Sequence, residues 1–164
     1  MTNIKYFESQ VFNEEEKISY SEALERSWYV ACHFVDKTPD FAELIGHGKV
    51  DRVIYYNREW PDDDLLKAHL SHYKECPLEI VSSYREIDGN KICNIFFCNS
   101  SGQFQGISEQ HFNFQGDITM EVRMNAERNP YGTIEYEYDA SGEISIIRER
   151  TPDGKIISEE HCDD

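Results

Sequence analysis

The chain has 164 residues, of which 39% are hydrophobic and 13% aromatic, and a formal net charge of −16 from 32 acidic and 16 basic side chains. This composition excludes a disordered chain, because so many aromatic residues need a core in which to pack, and the length predicts a single domain, residues 1–164. The acidity excludes nucleic acid and anionic membranes as expected partners, because phosphate binding requires Lys and Arg, and it favours a basic protein.

Neither a membrane span nor an export signal is expected. No stretch approaches the ~18 consecutive apolar residues that a membrane-spanning helix needs, and the first twenty residues contain three consecutive Glu and no apolar core, unlike a signal peptide. The cysteines are odd in number and form no CxxC pair, which predicts reduced thiols and a cytoplasmic location. They are Cys32, Cys76, Cys93, Cys98 and Cys162.

The first part of the chain, residues 1–76, mixes helical and strand patterns. Ser19 and Glu22 have the spacing of a helical capping box, and the apolar residues that follow recur at helical intervals. These residues are Leu24, Trp28, Ala31 and Val35. They predict a first helix, although the end of this segment, WYVACHFV, also suits a strand.

Two more helical segments are predicted, with a strand between them. The stretch TPDFAELIGHG is expected to form a single helical turn that ends at Gly46, and KVDRVIYYN is expected to form a strand. In PDDDLLKAHLSHYKECP, Pro61 and three Asp precede an apolar stripe, and Pro77 stops the predicted helix. The stripe consists of Leu65, Leu66, His69, Leu70 and Tyr73.

Residues 77–164 have the pattern of successive β-hairpins. Seven of the nine glycines lie here, most of them in sequences such as SSGQ, QGD, NPYG, ASGE and PDGK, where Gly, Asn and Asp supply the positive φ of tight turns. Between the turns, apolar and polar residues alternate, as in DITMEVRM and TIEYEYD. We therefore predict an antiparallel meander of six to seven strands over residues 78–160. With two or three N-terminal helices packed on its apolar face, the fold class is predicted to be α+β.

One segment of the predicted meander matches a known repeat. YEYDASGEISIIRERTPDGKI contains Tyr-x-Tyr-Asp-x-x-Gly-x-Ile followed by Asp-Gly, and it resembles the YD repeat of Rhs-type toxins and teneurin-like shells. The matching residues are Tyr136, Tyr138, Asp139, Gly142, Ile144, Asp153 and Gly154. An earlier stretch, YREIDGNKICNIFFCNSSGQFQGI, lacks the Tyr-Asp pair. The clear match covers residues 131–158, too little to enclose a toxin as the large shells do.

The resemblance implies a role in toxin neutralisation and bacterial competition. A small acidic protein with YD-like hairpins is similar to the immunity proteins that accompany Rhs-type polymorphic toxins. The function expected on this basis is binding to a cognate basic toxin domain, a nuclease or an ADP-ribosyltransferase, whose active site the protein occludes. The alternatives are a generic acidic protein-interaction module and, as the less favoured one, a metal-dependent enzyme.

Neither catalysis nor a bound cofactor is expected. The sequence has no phosphate-binding loop, no G-x-S-x-G and no H-E-x-x-H motif. The enzyme alternative depends on His69, His72 and Glu75, which recur every three residues and could face one ion from a helix. Two helical His without a third ligand are more often packing and surface residues, so no metal site is predicted.

Partner binding is predicted at two acidic surfaces. One is the Asp triplet that follows Trp60, because an aromatic anchor beside carboxylates is typical of an interface for a basic protein. The other is the strand in which Glu and Tyr alternate. The predicted binding residues are Trp60, Asp62, Asp63, Asp64, Glu135, Tyr136, Glu137, Tyr138 and Asp139.

Overall fold

The structure, a computed structural model, describes residues 2–10 and 14–162 and divides into two compact units. The first unit combines Met1–Ser82 with Phe97–Gln103, and the second combines Ser83–Phe96 with Phe104–Asp164. The single domain expected from the chain length stays a prediction.

The described part of the first unit contains six strands, two α-helices and a 3-10 helix. The strands are β1 (Thr2–Phe7), β2 (Lys17–Ile18), β3 (Trp28–Val35), β4 (Thr38–Gly46), β5 (Lys49–Tyr56) and β6 (Leu78–Val81). The helices are the 3-10 helix Glu14–Glu16, α1 (Tyr20–Glu25) and α2 (Asp63–His72). In space the strands follow the order β6-β5-β4-β3-β1-β2. All neighbours are antiparallel except β5 and β6.

Helix α2 is the crossover connection between the parallel strands β5 and β6. Parallel neighbours require such a connection, because the chain must return to the same end of the sheet. The predicted helix is confirmed here: Asp62 is the N-cap and accepts the N–H of Leu65 at 2.9 Å. His69 is buried and lies 3.1 Å from the hydroxyl of Tyr55 on β5, so α2 packs on the sheet through this side chain.

The first predicted helix is correct only at its beginning. Ser19 and Glu22 form the expected capping box, with Glu22 N–H donating to the Ser19 hydroxyl at 3.2 Å and Ser19 N–H donating to the Glu22 carboxylate at 2.7 Å. The helix ends at Glu25, and WYVACHFV forms strand β3. Strand β3 pairs with both β1 and β4, and burial on both faces explains its continuous run of apolar residues.

The predicted helical turn in TPDFAELIGHG is wrong, because this segment is strand β4. It is hydrogen-bonded between β3 and β5, and pairing on both sides overrides a weak local helical preference. The turn that follows uses His47 at φ 49° and Gly48 at φ 75°, the backbone of a tight two-residue hairpin. The predicted strand KVDRVIYYN is confirmed as β5.

The second unit consists of strands. They are β7 (Arg85–Ile87), β8 (Asn90–Cys98), β9 (Phe104–Phe112), β10 (Ile118–Asn125), β11 (Pro130–Tyr138), β12 (Ile144–Arg150) and β13 (Ile156–His161). The last two residues of β8 belong to the first unit. We call β7–β13 the meander: β8 to β13 follow one another in space, and β7 pairs with β8. The predicted α+β fold is therefore wrong, since the described residues form thirteen strands and only two short α-helices, both outside the meander.

One turn geometry occurs five times between β8 and β13. The turns span residues 99–103, 113–117, 125–129, 139–143 and 151–155. In each, the first N–H donates to the fifth C=O and the fourth N–H donates to the first C=O, at 2.8–3.2 Å. The side-chain oxygen of the first residue, an Asn, Asp or Thr, accepts the fifth N–H at 2.9–3.1 Å. The turns begin 14, 12, 14 and 12 residues apart, so the strands between them are of nearly constant length.

The fourth position of these turns has a positive φ and is glycine in four of the five. The exception is Arg128, with a φ of 63°. The sequence pattern NPYG predicts this turn around Gly132, but Gly132 is a buried residue inside β11. The predicted position is wrong because the residue that organises the turn is Asn125, whose side chain accepts two backbone N–H groups.

The register of the meander distributes its apolar side chains over both faces of the sheet. Met120 of β10 lies opposite Glu135 of β11, and Glu121 lies opposite Ile134. Because opposed residues share a face of the sheet, the apolar side of β10 continues into the charged side of β11. Every residue of β10 and β12 is only partly buried. Apolar area is thus divided between two faces, and neither offers a helix a continuous surface.

Candidate functional site

The predicted Asp triplet lies at the N-terminus of α2 and borders an open depression of about 540 Å³. We call this feature the acidic depression; its lining residues are Glu59, Pro61, Asp62, Asp63, Asp64 and Lys67. Asp62 serves as the N-cap, and Asp63 and Asp64 lie in the first turn, where negative charge is favourable to the helix dipole. The Nζ atom of Lys67 lies 3.9 Å from an Asp64 carboxylate oxygen, and both side chains are highly exposed.

Trp60, the predicted aromatic anchor, lies in the chain between Glu59 and Pro61, two residues that line the acidic depression. Its side chain is partly buried and interacts with other residues of the chain. The exposed part of the indole is therefore smaller than the sequence suggests, and the carboxylates are the dominant accessible feature of this segment.

The acidic residues of β11 are offset by arginines on the next strand. Arg150 donates to the Glu135 carboxylate at 2.8 Å, and Arg148 pairs with Glu137. The same arginine donates to Glu159 of β13 at 2.5 Å. These contacts form a ladder of alternating charge across three strands, so this face of the meander carries little excess charge near Glu135 and Glu137.

The two tyrosines of the predicted β11 surface, Tyr136 and Tyr138, make different contacts. Tyr136 lies opposite Ile147, on the face away from Glu135 and Glu137, and burial raises its pKa. The hydroxyl of Tyr138 donates to the backbone C=O of Ile118 at 2.8 Å. The alternating pattern of the sequence therefore does not bring Tyr136 together with the two glutamates.

Asp139 is the first residue of a repeated turn. Its Oδ1 atom accepts the backbone N–H groups of Ser141 and Glu143 at 2.8 and 3.0 Å, and hydrogen bonds, first of all from the Ser141 hydroxyl, lower its pKa. This explains the Tyr-Asp-x-x-Gly phrase physically: Asp139 organises the turn and Gly142 supplies φ 90°. The Asp62–Asp64 and Glu135–Asp139 segments belong to different units.

The proposed metal-binding residues do not form a common site. His69 is buried, with one ring nitrogen 2.8 Å from the C=O of Cys76 and the other 3.1 Å from the hydroxyl of Tyr55. Both nitrogens are thus engaged within the protein, and burial lowers the His69 pKa. His72 and Glu75 are exposed. Among residues 2–10 and 14–162, no three His, Cys, Asp or Glu side chains are placed to hold a metal ion.

A half-buried polar cluster in the first unit is not expected from the sequence. The Glu43 carboxylate lies 3.0 Å from His33 Nε2 and accepts the Tyr73 hydroxyl at 2.9 Å. His33 also stacks on Phe41, with 3.9 Å between ring centroids. The hydrogen bond from His33 is the main reason that the Glu43 pKa lies below its usual range. The residues come from β3, β4 and the end of α2, so only the tertiary fold brings them together.

Four of the five cysteines are buried, and the fifth, Cys162, is exposed. Burial raises the pKa of Cys32 to about 12 and those of Cys93 and Cys98 to about 11. Since the thiolate is the reactive form, these three side chains behave as small apolar residues at neutral pH.

The chain matches no known protein family and no curated protein. The resemblance to YD repeats therefore remains a prediction from the motif residues. No helix in the described part of the chain is long and apolar enough to cross a membrane.

Proposed function

We propose that this protein is an immunity-type protein that acts in the cytoplasm, binds a cognate basic toxin domain and occludes its active site. The charge distribution supports this proposal. The first unit has 16 acidic and 9 basic residues, and the second has 16 and 7. The negative charge is therefore a property of both units, and a surface of this sign accelerates encounter with a basic protein.

The acidic depression is the observation that carries the proposal. Its lining combines four carboxylates with a single Lys. One N-cap carboxylate satisfies the helix end, so Asp63 and Asp64 exceed what the cap itself requires. Close like charges repel one another unless a cation offsets them. A Lys or Arg of a basic partner supplies that cation, and Trp60 adds an aromatic contact at the margin.

The expected mechanism is steric occlusion assisted by charge. A nuclease or an ADP-ribosyltransferase binds an anionic substrate, so its active site is lined with cationic groups. The carboxylates of the acidic depression take the position of the substrate's phosphates. The protein then blocks the site without making or breaking a bond.

The direct test is co-expression with the product of the neighbouring reading frame. We expect that product to be toxic alone, harmless with this protein and recovered with it in a stable complex. If cells that lack this protein grow normally while expressing that product, the proposal fails. A complex without protection from toxicity would favour the alternative of a generic acidic interaction module.

A matched pair of variants tests the role of the acidic depression. Asp63→Asn with Asp64→Asn removes two charges from it, whereas Asp88→Asn with Glu143→Gln removes two charges from exposed turns of the meander. We expect the first pair to slow association with the toxin several-fold at low salt, and the second pair to have a smaller effect. Equal association rates for both pairs would show that binding takes place elsewhere.

A further inference from the structure

Strand β13 is the outermost strand of the meander. In the strand order it has one neighbour among the described residues, β12. All six of its residues are exposed, including Ile156 and Ile157, which are 45% and 58% exposed. A strand in this position leaves one row of backbone N–H and C=O groups available to a further strand.

The register identifies which residues of β13 present these groups. The N–H of Cys162 donates to the C=O of Ser145 at 2.9 Å, and the pairing continues without a shift from Ile146–His161 to Glu149–Ser158. Hydrogen-bonded and non-hydrogen-bonded pairs alternate in an antiparallel ladder. Glu159 and His161 therefore direct their N–H and C=O groups away from β12.

The side chains of this edge select the charge of an added strand. Glu159 and Glu160 are adjacent in the strand, with Glu159 on the face of Arg148 and Glu160 on the opposite face. In a two-fold antiparallel pair centred on either residue, that glutamate faces its own copy, which is unfavourable. A strand with Lys or Arg at alternate positions meets opposite charge instead. A second copy is thus disfavoured in the registers centred on Glu159 or Glu160, whereas a basic segment meets opposite charge in each of them.

We propose that β13 binds an extended Lys- or Arg-rich segment of the protein partner by β-strand addition. The inference rests on the proposed function for the basic character of the partner. Backbone hydrogen bonds to Glu159 and His161 supply affinity. Glu160, which lies opposite Ile147, supplies most of the preference for cationic side chains, because the Glu159 carboxylate is already bonded to Arg148. The recognised chemistry is a basic peptide strand.

Proline substitution separates backbone pairing from simple charge attraction. Glu159→Pro removes an N–H that points away from β12, so the ladder within the meander keeps its bonds, and proline is tolerated in edge strands. Glu159→Ala removes the same carboxylate and keeps the N–H. The probe is a fluorescent synthetic peptide of about eight residues in which Lys alternates with Val and Thr. A peptide of equal charge with a central Pro is the ligand control.

Fluorescence anisotropy gives the dissociation constants at fixed salt. We expect Glu159→Ala to weaken binding of the strand peptide by about threefold at most, and Glu159→Pro to weaken it by a further factor of about ten. The proline-containing peptide binds the wild-type protein at least about ten times more weakly than the strand peptide. Equal affinities of the Pro and Ala variants, or of the two peptides, would overturn the proposal. So would a wild-type dimer that Glu159→Pro dissociates.

A second pair, His161→Pro and His161→Ala, repeats the comparison if Glu159→Pro does not fold by circular dichroism. Toxin protection by the same variants separates the two proposals. If the wild-type protein protects cells from the toxin and the Pro variant protects them equally well, the proposal of strand addition at β13 is wrong and the proposed function stands. If wild type gives no protection but the peptide results are as expected, the proposed function fails and the proposal of strand addition at β13 stands.

Discussion

Arg128 allows the energetics of the repeated turn to be tested within one molecule. Four of the five turns have glycine at the fourth position, and this turn has Arg128 at φ 63° with the same hydrogen bonds. A side chain in the left-handed region costs roughly 1–2 kcal/mol, and glycine loses about 0.5–1 kcal/mol more backbone entropy on folding. We therefore expect Arg128→Gly to raise the free energy of unfolding by about 0.5–1 kcal/mol.

Gly142→Ala is the matched control. Its φ of 90° lies beyond the left-handed region that other residues adopt, and an added Cβ would meet no heavy atom within 4 Å. The substitution thus isolates the backbone cost, and we expect a loss of about 1–2 kcal/mol. Arg128→Gly is thus expected to raise the free energy of unfolding and Gly142→Ala to lower it. Neither substitution removes a side chain that contacts the backbone of its turn.

Urea unfolding followed by far-UV circular dichroism measures both effects. With a slope of about 2 kcal/mol per M, Arg128→Gly raises the midpoint by about 0.3–0.5 M. Both tryptophans, Trp28 and Trp60, belong to the first unit, so fluorescence reports that unit and dichroism reports the whole chain. If Arg128→Gly leaves the dichroism midpoint unchanged while Gly142→Ala lowers it, the shared turn geometry does not determine the stability of the meander.

Three further predictions concern single side chains. Glu43→Gln removes the charge that His33 contacts, and we expect a loss of about 1–2 kcal/mol at neutral pH. Folding lowers the Glu43 pKa, so the stabilising contribution of the carboxylate is present above the unfolded pKa and is lost as the pH falls through the folded pKa. In urea titrations at several pH values, the difference in the free energy of unfolding between wild type and Glu43→Gln therefore shrinks below pH 4.5. Asp139→Ala destabilises the second unit in the same assay, and its effect also decreases in acid, since hydrogen bonds lower the Asp139 pKa. With a thiol reagent, only Cys162 is expected to react rapidly in the native protein, because the other four cysteines are buried; rapid reaction of a second thiol would contradict the described core.

The turns of the meander were largely predictable because their chemistry is local. In four of the five turns, Gly together with Asp or Asn lies at the predicted position. The hydrogen bonds and the positive φ that each turn needs are supplied within five consecutive residues. The fifth turn was misplaced because its left-handed residue is Arg128, which carries no turn signal. Asn125 is the better guide, since an Asn, Asp or Thr recurs at nearly the same spacing.

The helices and the candidate site show the limit of local information. The sequence predicts a helical turn where the structure has strand β4, because only the neighbours β3 and β5 determine the conformation of this segment. The Asp62–Asp64 segment could be identified from sequence, because cap residues and charges are contiguous. The pairing of Glu135 with Arg150 and of Glu137 with Arg148 could not, since it depends on strand register, and a shift by one residue would move each arginine to the other face.

Register also determines where the charge of the second unit is available to a partner. On one face of the meander, Arg148 and Arg150 lie among Glu135, Glu137 and Glu159, so opposite charges largely balance there. The acidic excess of this unit is therefore displaced to the exposed turns and to Glu160 on the outermost strand. A basic partner gains little by lying flat on that face, because it must compete with arginines that are already bonded. It gains more at the edge, where backbone groups and uncompensated charge are available together.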